Sequence, residues 1–282
     1  MNEHHMTLID PDAAVNSVEA NDWHFVDCRF DLKDPKGGCI AYEQAHIPGA
    51  VYAHLDEDLS GPPLTDSGRH PLPSPHALCD LFGRLGIGND TQVVVYDAGS
   101  GAFAARLWWM LRYMGHERVA VLDGGWKAWC AAGHPTKAGI ETVDSALFGG
   151  APREDRLVKV AEVDDAPILV DARAPVRYRG DEEPLDRVGG HIPGALNYCF
   201  MRNLGENGRF LDPDILQAQL AQVLGDVAPE DAVFYCGSGV TACHNILAAV
   251  QAGLPEPRLY VGSWSEWSRD PERPVATGEE PG

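Results

Sequence analysis

The amino-acid sequence predicts an α/β protein with two tandem domains, each a mostly parallel sheet flanked by helices. The length of 282 residues fits two domains of typical size, about 150 residues each. Short β-branched and aromatic runs alternate with helical stretches in both halves, which is typical of parallel α/β sheets. Four segments also occur twice in the same order, so the two domains are expected to be copies of one another.

The four repeated segments keep nearly constant spacing. They begin at Val26 and Val170, at Ala45 and Gly190, at Val95 and Phe234, and at Gly125 and Ser263. A repeat of this length indicates two complete domains, because the units of solenoid proteins are far shorter. We therefore expect one domain at residues 1–145 and the other at 156–282. The connection is expected between Pro135 and Arg156, where glycine and proline interrupt the periodic pattern.

In the first half, strands are expected at His24–Val26 and Gln92–Tyr96, where short apolar runs are bounded by turn residues. A helix is expected over Pro75–Leu85, because Ser74 is a suitable N-cap and proline suits the first helical position. A second helix is expected over Gly101–Met114. This order of elements is the one that builds a parallel sheet with crossover helices.

The second half gives the same pattern. Strands are expected at Ile168–Val170, Ala232–Tyr235 and Arg258–Val261. Helices are expected near Pro213–Leu224 and Thr241–Ala252. Both halves therefore predict the same type of domain.

Residues that recur in both halves are expected to be architectural. His46 and His191 are expected to support the Pro-Gly turn that follows each of them. Arg173 is expected to be structural and to pair with Asp171 or a neighbouring element, because the same Asp-x-Arg segment occurs in the first half. The recurring tryptophans are expected to pack in the cores. They are Trp126, Trp129, Trp264 and Trp267.

Composition and charge exclude several classes of partner. Acidic residues number 42 and basic residues 22, a formal net charge of −20. This charge repels phosphate backbones and anionic lipids, so neither nucleic acid nor a membrane surface is expected as a partner. With 44% hydrophobic residues, the chain is expected to be soluble, globular and ordered.

The cysteines favour a reduced compartment. There are seven, and no pair has the Cys-x-x-Cys spacing, so neither a disulfide framework nor a zinc site is expected. No metal and no cofactor is expected. The stretch from Met1 to Val15 contains acids and a proline but no apolar run typical of a secretion signal. We therefore expect a cytoplasmic protein.

One cysteine has a context that favours chemistry. The strand that ends at Tyr235 leads directly into Cys236, a loop of small residues and a helix. Loop N–H groups and the positive end of the helix favour a thiolate at this position, so Cys236 is the candidate nucleophile. The alternative is a buried structural cysteine. The corresponding residue in the first half is Asp97, so only the second domain is expected to be catalytic.

The tandem halves, the paired His-Ile-Pro-Gly-Ala segments, the Cys-Gly-Ser-Gly-Val-Thr loop and the Gly-Gly-Trp and Gly-Ser-Trp segments resemble the two-domain rhodanese-like sulfurtransferases. The loop is most similar to that of the 3-mercaptopyruvate branch. This resemblance implies that Cys236 takes sulfur from mercaptopyruvate as a persulfide and passes it to a thiol such as thioredoxin, or to cyanide. The remaining loop residues would bind the substrate and cradle the persulfide. They are Gly237, Gly239, Val240 and Thr241.

The resemblance also implies partners for the nucleophile. Ser238, His70 and Asp56 match the proton relay of the mercaptopyruvate branch, in which the first domain contributes to a site between the domains. Arg177 matches the first arginine that binds the substrate carboxylate. The segment that normally holds the second is shorter here, which leaves Arg187 as the available substitute.

Three other functions share parts of this pattern. Thiosulfate sulfurtransferases usually have basic residues after the cysteine, where this chain has Gly237 and Ser238; a thiosulfate enzyme, or one that uses both donors, remains the main alternative. A cysteine phosphatase needs an arginine that closes the loop, and that position is Ala242. A non-catalytic binding module is disfavoured by the intact cysteine loop.

Overall fold

Both halves of the chain form a parallel sheet, as the sequence predicts. The computed structural model describes residues 4–18, 20 and 22–282, and in these residues it contains two five-stranded sheets whose strand pairs are all parallel. Residues 1–3 of the expected first domain, which include the start of the segment from Met1 to Val15, lie outside the described residues. The predicted α/β fold class is confirmed.

The chain divides into two compact units. The first comprises residues up to Gly61, Pro73–Arg153 and Glu206–Phe210. The second comprises Pro62–Leu72, Glu154–Gly205 and Leu211–Gly282. Residues 146–153 pack in the first unit, where the rings of Phe148 and Phe82 lie 4.9 Å apart. The main division between the units therefore lies at Glu154, within the stretch where the connection is expected.

The sheet of the first unit has the strand order β1-β5-β4-β2-β3. The strands are β1 (Leu8–Ile9), β2 (Trp23–Asp27), β3 (Val51–Tyr52), β4 (Gln92–Tyr96) and β5 (Val119–Leu122). The α-helices are α1 (Pro11–Ala14), α2 (Gly37–Gln44), α3 (Pro75–Arg84), α4 (Ala104–Tyr113) and α5 (Gly125–Ala131). The central strand β4 is buried along its whole length, and Asp97 follows it at the carboxyl edge of the sheet.

The sheet of the second unit has the order β6-β10-β9-β7-β8. The strands are β6 (Leu157–Val158), β7 (Leu169–Asp171), β8 (Leu196–Asn197), β9 (Val233–Tyr235) and β10 (Arg258–Tyr260). The α-helices are α6 (Pro175–Tyr178), α7 (Pro213–Leu224), α8 (Thr241–Gln251) and α9 (Ser263–Trp267). The central strand β9 is buried and ends at Tyr235, so Cys236 lies where open parallel sheets bind their ligands.

The predicted elements agree with the observed ones to within one residue at each end, except at the start of α4. This helix begins at Ala104 rather than at Gly101, because Gly101 has φ +79° and cannot continue a right-handed helix. The sequence did not predict β1, β3, β6 and β8, because each has only two residues and is too short to show a period. It also did not predict β5, a buried apolar run of four residues.

The recurring residues have structural contacts. Arg173 binds Asp171 at 2.6 Å, and its guanidinium lies 4.8 Å from the ring centre of Trp264. Nδ1 of His191 lies 2.8 Å from the carbonyl oxygen of Tyr178, and His46 makes the matching contact in the first unit. These contacts agree with the expected architectural roles. Within residues 4–18, 20 and 22–282, no helix has the length and apolarity needed to cross a membrane.

Candidate active site

The backbone of Cys236 forms hydrogen bonds with the first residues of α9. The side chain of Cys236 is buried, and the residue is only 2% exposed. The N–H of Cys236 donates to Oγ of Ser263 at 3.1 Å, and the carbonyl oxygen of Cys236 accepts from the N–H of Trp264 at 3.0 Å. These two hydrogen bonds fix the position of the thiol relative to the loop that follows.

Glycine is required in this loop for a geometric reason. Gly239 has φ +73°, and a Cβ atom at this position would lie 2.5 Å from the carbonyl oxygen of Val261. Both the backbone conformation and the lack of space exclude a side chain. The loop then ends at Val240, and α8 begins at Thr241. The sequence-predicted binding residues Gly237, Gly239, Val240 and Thr241 therefore form one continuous turn after Cys236.

Ser238 and His70 form the hydrogen bond that the sequence analysis expects of a relay. Oγ of Ser238 lies 2.7 Å from Nδ1 of His70, and both residues are buried. His70 comes from the segment Pro62–Leu72, which lies in the first sequence repeat but belongs to the second unit. The hydrogen-bonded pair thus draws one residue from the first half of the sequence.

The segment that carries His70 packs closely on the start of α9. The N–H of Arg69 donates to Oγ of Ser265 at 2.9 Å. A Cβ atom at Gly68 would lie 2.5 Å from the carbonyl oxygen of Gly262, so only glycine permits this approach. The close packing fixes the backbone at Gly68 and Arg69, directly before the imidazole of His70.

Arg69 and Arg177 both approach the loop at Gly237. A Cβ atom there would lie 3.2 Å from Nη2 of Arg69 and 3.4 Å from Nη1 of Arg177. Arg177 is the arginine that the sequence analysis assigns to the substrate carboxylate. The sequence motifs gave no role to Arg69, although it immediately precedes His70.

Arg187 is engaged elsewhere. Its Nε donates to the carbonyl oxygen of Ser268 at 2.9 Å, and it lines a cavity together with Arg69. A substrate-binding role for Arg187 remains a prediction, and the geometry at Gly237 favours Arg69 over it. Asp56 belongs to the first unit, where its N–H donates to Nδ1 of His54 at 3.1 Å. Its place as the third member of the relay remains a prediction.

Two carboxylates, those of Asp186 and Glu183, lie next to the arginines of the site. Burial raises the pKa of Asp186, although the neighbouring charge and hydrogen bond of Arg69 oppose this effect. Burial also acts to raise the pKa of Glu183, but the hydrogen bond and the charge of Arg177 outweigh it, so the pKa of Glu183 is lowered. Glu183 is therefore the more firmly ionised of the two.

Four cysteines other than Cys236 have pKa values that disfavour a thiolate. Burial is the main cause of the raised pKa at each of these thiols. They are Cys28, Cys39, Cys130 and Cys199. A raised thiol pKa lowers the fraction of the reactive thiolate at neutral pH. Cys28 is buried, Cys39 and Cys199 are half-buried and Cys130 is exposed, and the raised pKa disfavours the thiolate at each of them.

The first unit shows how the equivalent loop holds an anion. Asp97 takes the place of Cys236, and its carboxylate accepts the N–H groups of Gly99, Gly101 and Phe103, each at 2.9 Å. The loop after the central strand therefore directs several backbone donors toward one negatively charged side chain. The first unit has this anion cradle without a nucleophile.

Residues 10–132 and 157–270 each match the sequence profile of the family described as Rhodanese-like domain. The chain belongs to the rhodanese family. The two matches correspond to the two halves of the internal repeat, so the resemblance seen in the sequence motifs is confirmed. The rhodanese loop after the second central strand is the one that contains Cys236.

Curated rhodanese relatives include enzymes named for two different sulfur donors. The chain is 48% identical over 261 residues to a Pseudomonas aeruginosa protein named "Probable 3-mercaptopyruvate sulfurtransferase", with 90% of this chain and 92% of the relative covered. It is 38% identical over 250 residues to the thiosulfate sulfurtransferase of Rattus norvegicus, with 84% and 83% covered. Both are named as sulfurtransferases.

Solved rhodanese structures have the same fold. The 3-mercaptopyruvate sulfurtransferase from Leishmania major matches with a TM-score of 0.83 and 32% identity, over 93% of this chain and 74% of that one. The 3-mercaptopyruvate sulfotransferase SseA from Escherichia coli matches with a TM-score of 0.79 and 30% identity, over 93% and 100%. The similarity therefore extends over both domains.

Proposed function

We propose that this protein is a sulfurtransferase that takes sulfur from 3-mercaptopyruvate and passes it, through a persulfide on Cys236, to a thiol. The observation that carries this proposal is the hydrogen bond of 2.7 Å between Ser238 and His70, in the same loop as the buried Cys236. A hydroxyl and an imidazole in contact supply a proton donor beside the nucleophile. Mercaptopyruvate requires such a donor, because its leaving group is a carbanion equivalent.

The sulfur donor, mercaptopyruvate, binds through its carboxylate. A guanidinium presents two parallel N–H groups to two carboxylate oxygens, and Arg177 approaches the loop beside Cys236. This placement puts the sulfur of a small mercapto-acid near the thiolate. Because the two N–H groups of the guanidinium hold both carboxylate oxygens, they also orient the carbon–sulfur bond that must break.

The first chemical step forms the persulfide. The Cys236 thiolate attacks the donor sulfur, a sulfur–sulfur bond forms, and the electron pair of the donor's carbon–sulfur bond leaves with the carbon as the enolate of pyruvate. Ser238 gives a proton to that carbon, and His70 gives its proton to the serine oxygen. The products of the step are pyruvate and a persulfide on Cys236.

Backbone N–H groups of the loop stabilise the persulfide anion. The carboxylate of Asp97 accepts three short hydrogen bonds from the equivalent loop of the first unit, which supports the same function for the loop that follows Cys236. In the second step, an acceptor thiolate attacks the outer sulfur and Cys236 leaves as the thiolate. Sulfur is thus transferred with no net oxidation or reduction of the enzyme.

The acceptor and the location follow from the chemistry. A thiol acceptor such as reduced thioredoxin requires a reducing compartment, and all seven cysteines are free. We therefore propose a cytoplasmic location. The first domain is proposed to be catalytically inactive, since Asp97 replaces the nucleophile, and to contribute Asp56 to the relay.

Thiosulfate is the second candidate donor, favoured by the 38% identity to the rat thiosulfate sulfurtransferase. Steady-state kinetics with both donors on one preparation decides between them. The proposal predicts a larger kcat/KM for mercaptopyruvate, with pyruvate released in proportion to the sulfur transferred. A larger kcat/KM for thiosulfate would contradict the donor assignment.

A further inference from the structure

Arg69 and Arg177 share one buried carboxylate. Nη1 of Arg69 lies 2.6 Å from Oδ1 of Asp186, and Nη2 of Arg177 lies 3.1 Å from Oδ2 of the same side chain. The Asp186 side chain is only 5% exposed, so water screens these contacts weakly. A carboxylate between two guanidinium groups has the contacts that the carboxylate of a bound donor would make.

The same guanidinium groups also face the residue next to the nucleophile. Nη2 of Arg69 and both terminal nitrogens of Arg177 lie 3.2–3.5 Å from the Cβ position of Gly237. Asp186 binds Nη1 of Arg69 and Nη2 of Arg177, so Nη2 of Arg69 and Nη1 of Arg177 face the loop without a bond to Asp186. In the described part of the chain, the buried Nε of Arg69 has no hydrogen-bond partner. The two arginines therefore have N–H groups that face the Cys236 loop, in addition to those that bind Asp186.

The charges around the arginine pair already balance without a donor. Arg177 also binds Glu183 at 2.7 Å, so two arginines face two carboxylates. An anionic donor adds negative charge to this neutral cluster, and a doubly charged donor adds twice as much. Because Coulomb energies are large at hydrogen-bond distances in a partly buried site, the Asp186 carboxylate disfavours the doubly charged donor more strongly.

A cavity lies beside Arg69 and Asp186. It has a volume of about 400 Å³. Its polar lining is Arg69, Asp186, Arg187, Ser265, Ser268 and Arg269. Three arginines and one aspartate make this cavity positive, although the whole chain has a formal charge of −20. The cavity therefore attracts anions, although the net charge of the chain is negative.

We propose that Asp186 is a specificity-determining residue: it is the internal counter-ion of Arg69 and Arg177, and it favours a donor with one carboxylate over a doubly charged inorganic donor. Arg69 is then the second arginine of the donor site, in place of Arg187. This inference rests on the proposed function, and it names how that site selects its donor.

Asp186→Asn tests the inference, because asparagine keeps the shape of the side chain and removes its charge. The KM for thiosulfate is expected to fall about tenfold, and the KM for mercaptopyruvate is expected to fall by a smaller factor. The kcat for each donor is expected to change by less than about twofold, since the charge acts on binding. Arg69→Gln is expected to raise the KM for both donors.

Asp181→Asn is the matched control. Asp181 makes an ion pair of 2.7 Å with Arg179 in the same unit, and its side chain is 55% exposed. This variant is expected to have the wild-type KM for both donors. An unchanged or raised KM for thiosulfate in Asp186→Asn would overturn the proposal, and urea unfolding verifies that the variants have folded.

A binding measurement separates this inference from the proposed function. Sulfate is a doubly charged anion that donates no sulfane sulfur, and its protection of Cys236 against alkylation requires no turnover. Asp186→Asn is expected to lower the sulfate concentration that gives half-protection about tenfold. Equal protection in both proteins would overturn the role of Asp186. A wild-type protein that uses neither donor would instead contradict the proposed function.

Discussion

Oγ of Ser238 lies 2.7 Å from Nδ1 of His70, although 168 residues separate the two in the sequence. Both side chains are buried, so the hydrogen bond is shielded from water. The serine lies two positions after Cys236, and the histidine is held by the packing of Gly68 on Gly262. The cysteine loop and the packing around Gly68 together hold this hydrogen-bonded pair.

Loss of either member of this pair is expected to slow the first step. Ser238→Ala and His70→Ala should each lower kcat with mercaptopyruvate by about 100-fold or more, because each removes the positioned proton donor. The double variant should be little slower than the single ones, since the two residues act as a unit. Steady-state assays measure both effects.

His76→Ala is the control for this prediction, since the His76 side chain is 87% exposed and lies in the first unit. It should retain the wild-type kcat. If Ser238→Ala and His70→Ala also retained it, or if their effects multiplied in the double variant, the pair would have no joint role in proton transfer.

Gly239→Ala is expected to destabilise the protein and to lower its activity. The new Cβ atom would lie 2.5 Å from the carbonyl oxygen of Val261, at a residue with φ +73°, so the loop must move. Gly253→Ala is a matched control, because Gly253 has φ +77° and nothing lies within 4 Å of its Cβ position. It should cost only the backbone strain, about 1 kcal/mol. Urea unfolding should show a larger loss for Gly239→Ala, and equal losses would refute the steric argument.

Asp97→Asn tests whether the first unit holds its carboxylate for stability alone. The variant replaces one acceptor oxygen by an amide that faces backbone N–H groups, so the free energy of unfolding should fall by about 2 kcal/mol. The kcat of the folded variant with mercaptopyruvate should stay within about twofold of the wild type. Urea unfolding and steady-state kinetics measure the two quantities. A large loss of kcat with unchanged stability would show that Asp97 takes part in catalysis.

The pH dependence of stability should report on Glu183, whose pKa is lowered by Arg177 despite burial. A carboxylate with a lowered folded-state pKa stabilises the protein above its unfolded pKa, ordinarily 4.5, and loses this effect as the pH falls through the folded value. The stability difference between the wild type and Glu183→Gln should therefore be constant near neutral pH and shrink below pH 4.5. Urea unfolding at several pH values measures it; a difference that grows on acidification would contradict the ion pair.

The sequence predicted the central elements of both sheets because their signals are local. Gln92–Tyr96 is an apolar run between turn residues, and Ser74 caps α3 through a hydrogen bond to the N–H of Ala77. The two-residue edge strands could not be predicted, since their pairing depends on neighbours far away in the chain. Strand β5 was within reach, because it is the counterpart of the predicted strand β10.

The site was predictable where a motif carries it. Cys236 and Ser238 lie in one recognisable loop, whereas Arg69 and Asp186 have no local sequence signal for their roles. Their contacts arise because separate loops meet above the carboxyl edge of the sheet. Ser263 could have been noticed as the serine that replaces Gly125 of the first repeat, since both have a positive φ.

Mass spectrometry tests most directly whether Cys236 carries the transferred sulfur as a persulfide. After incubation with mercaptopyruvate and no acceptor, the wild type should gain the mass of one sulfur atom on the peptide that contains Cys236, with one pyruvate released per protein. Cys130→Ser, which removes an exposed cysteine, should give the same result. Cys236→Ser should fold normally but gain no sulfur and release no pyruvate. Sulfur found on another cysteine, or pyruvate release by Cys236→Ser, would contradict the mechanism.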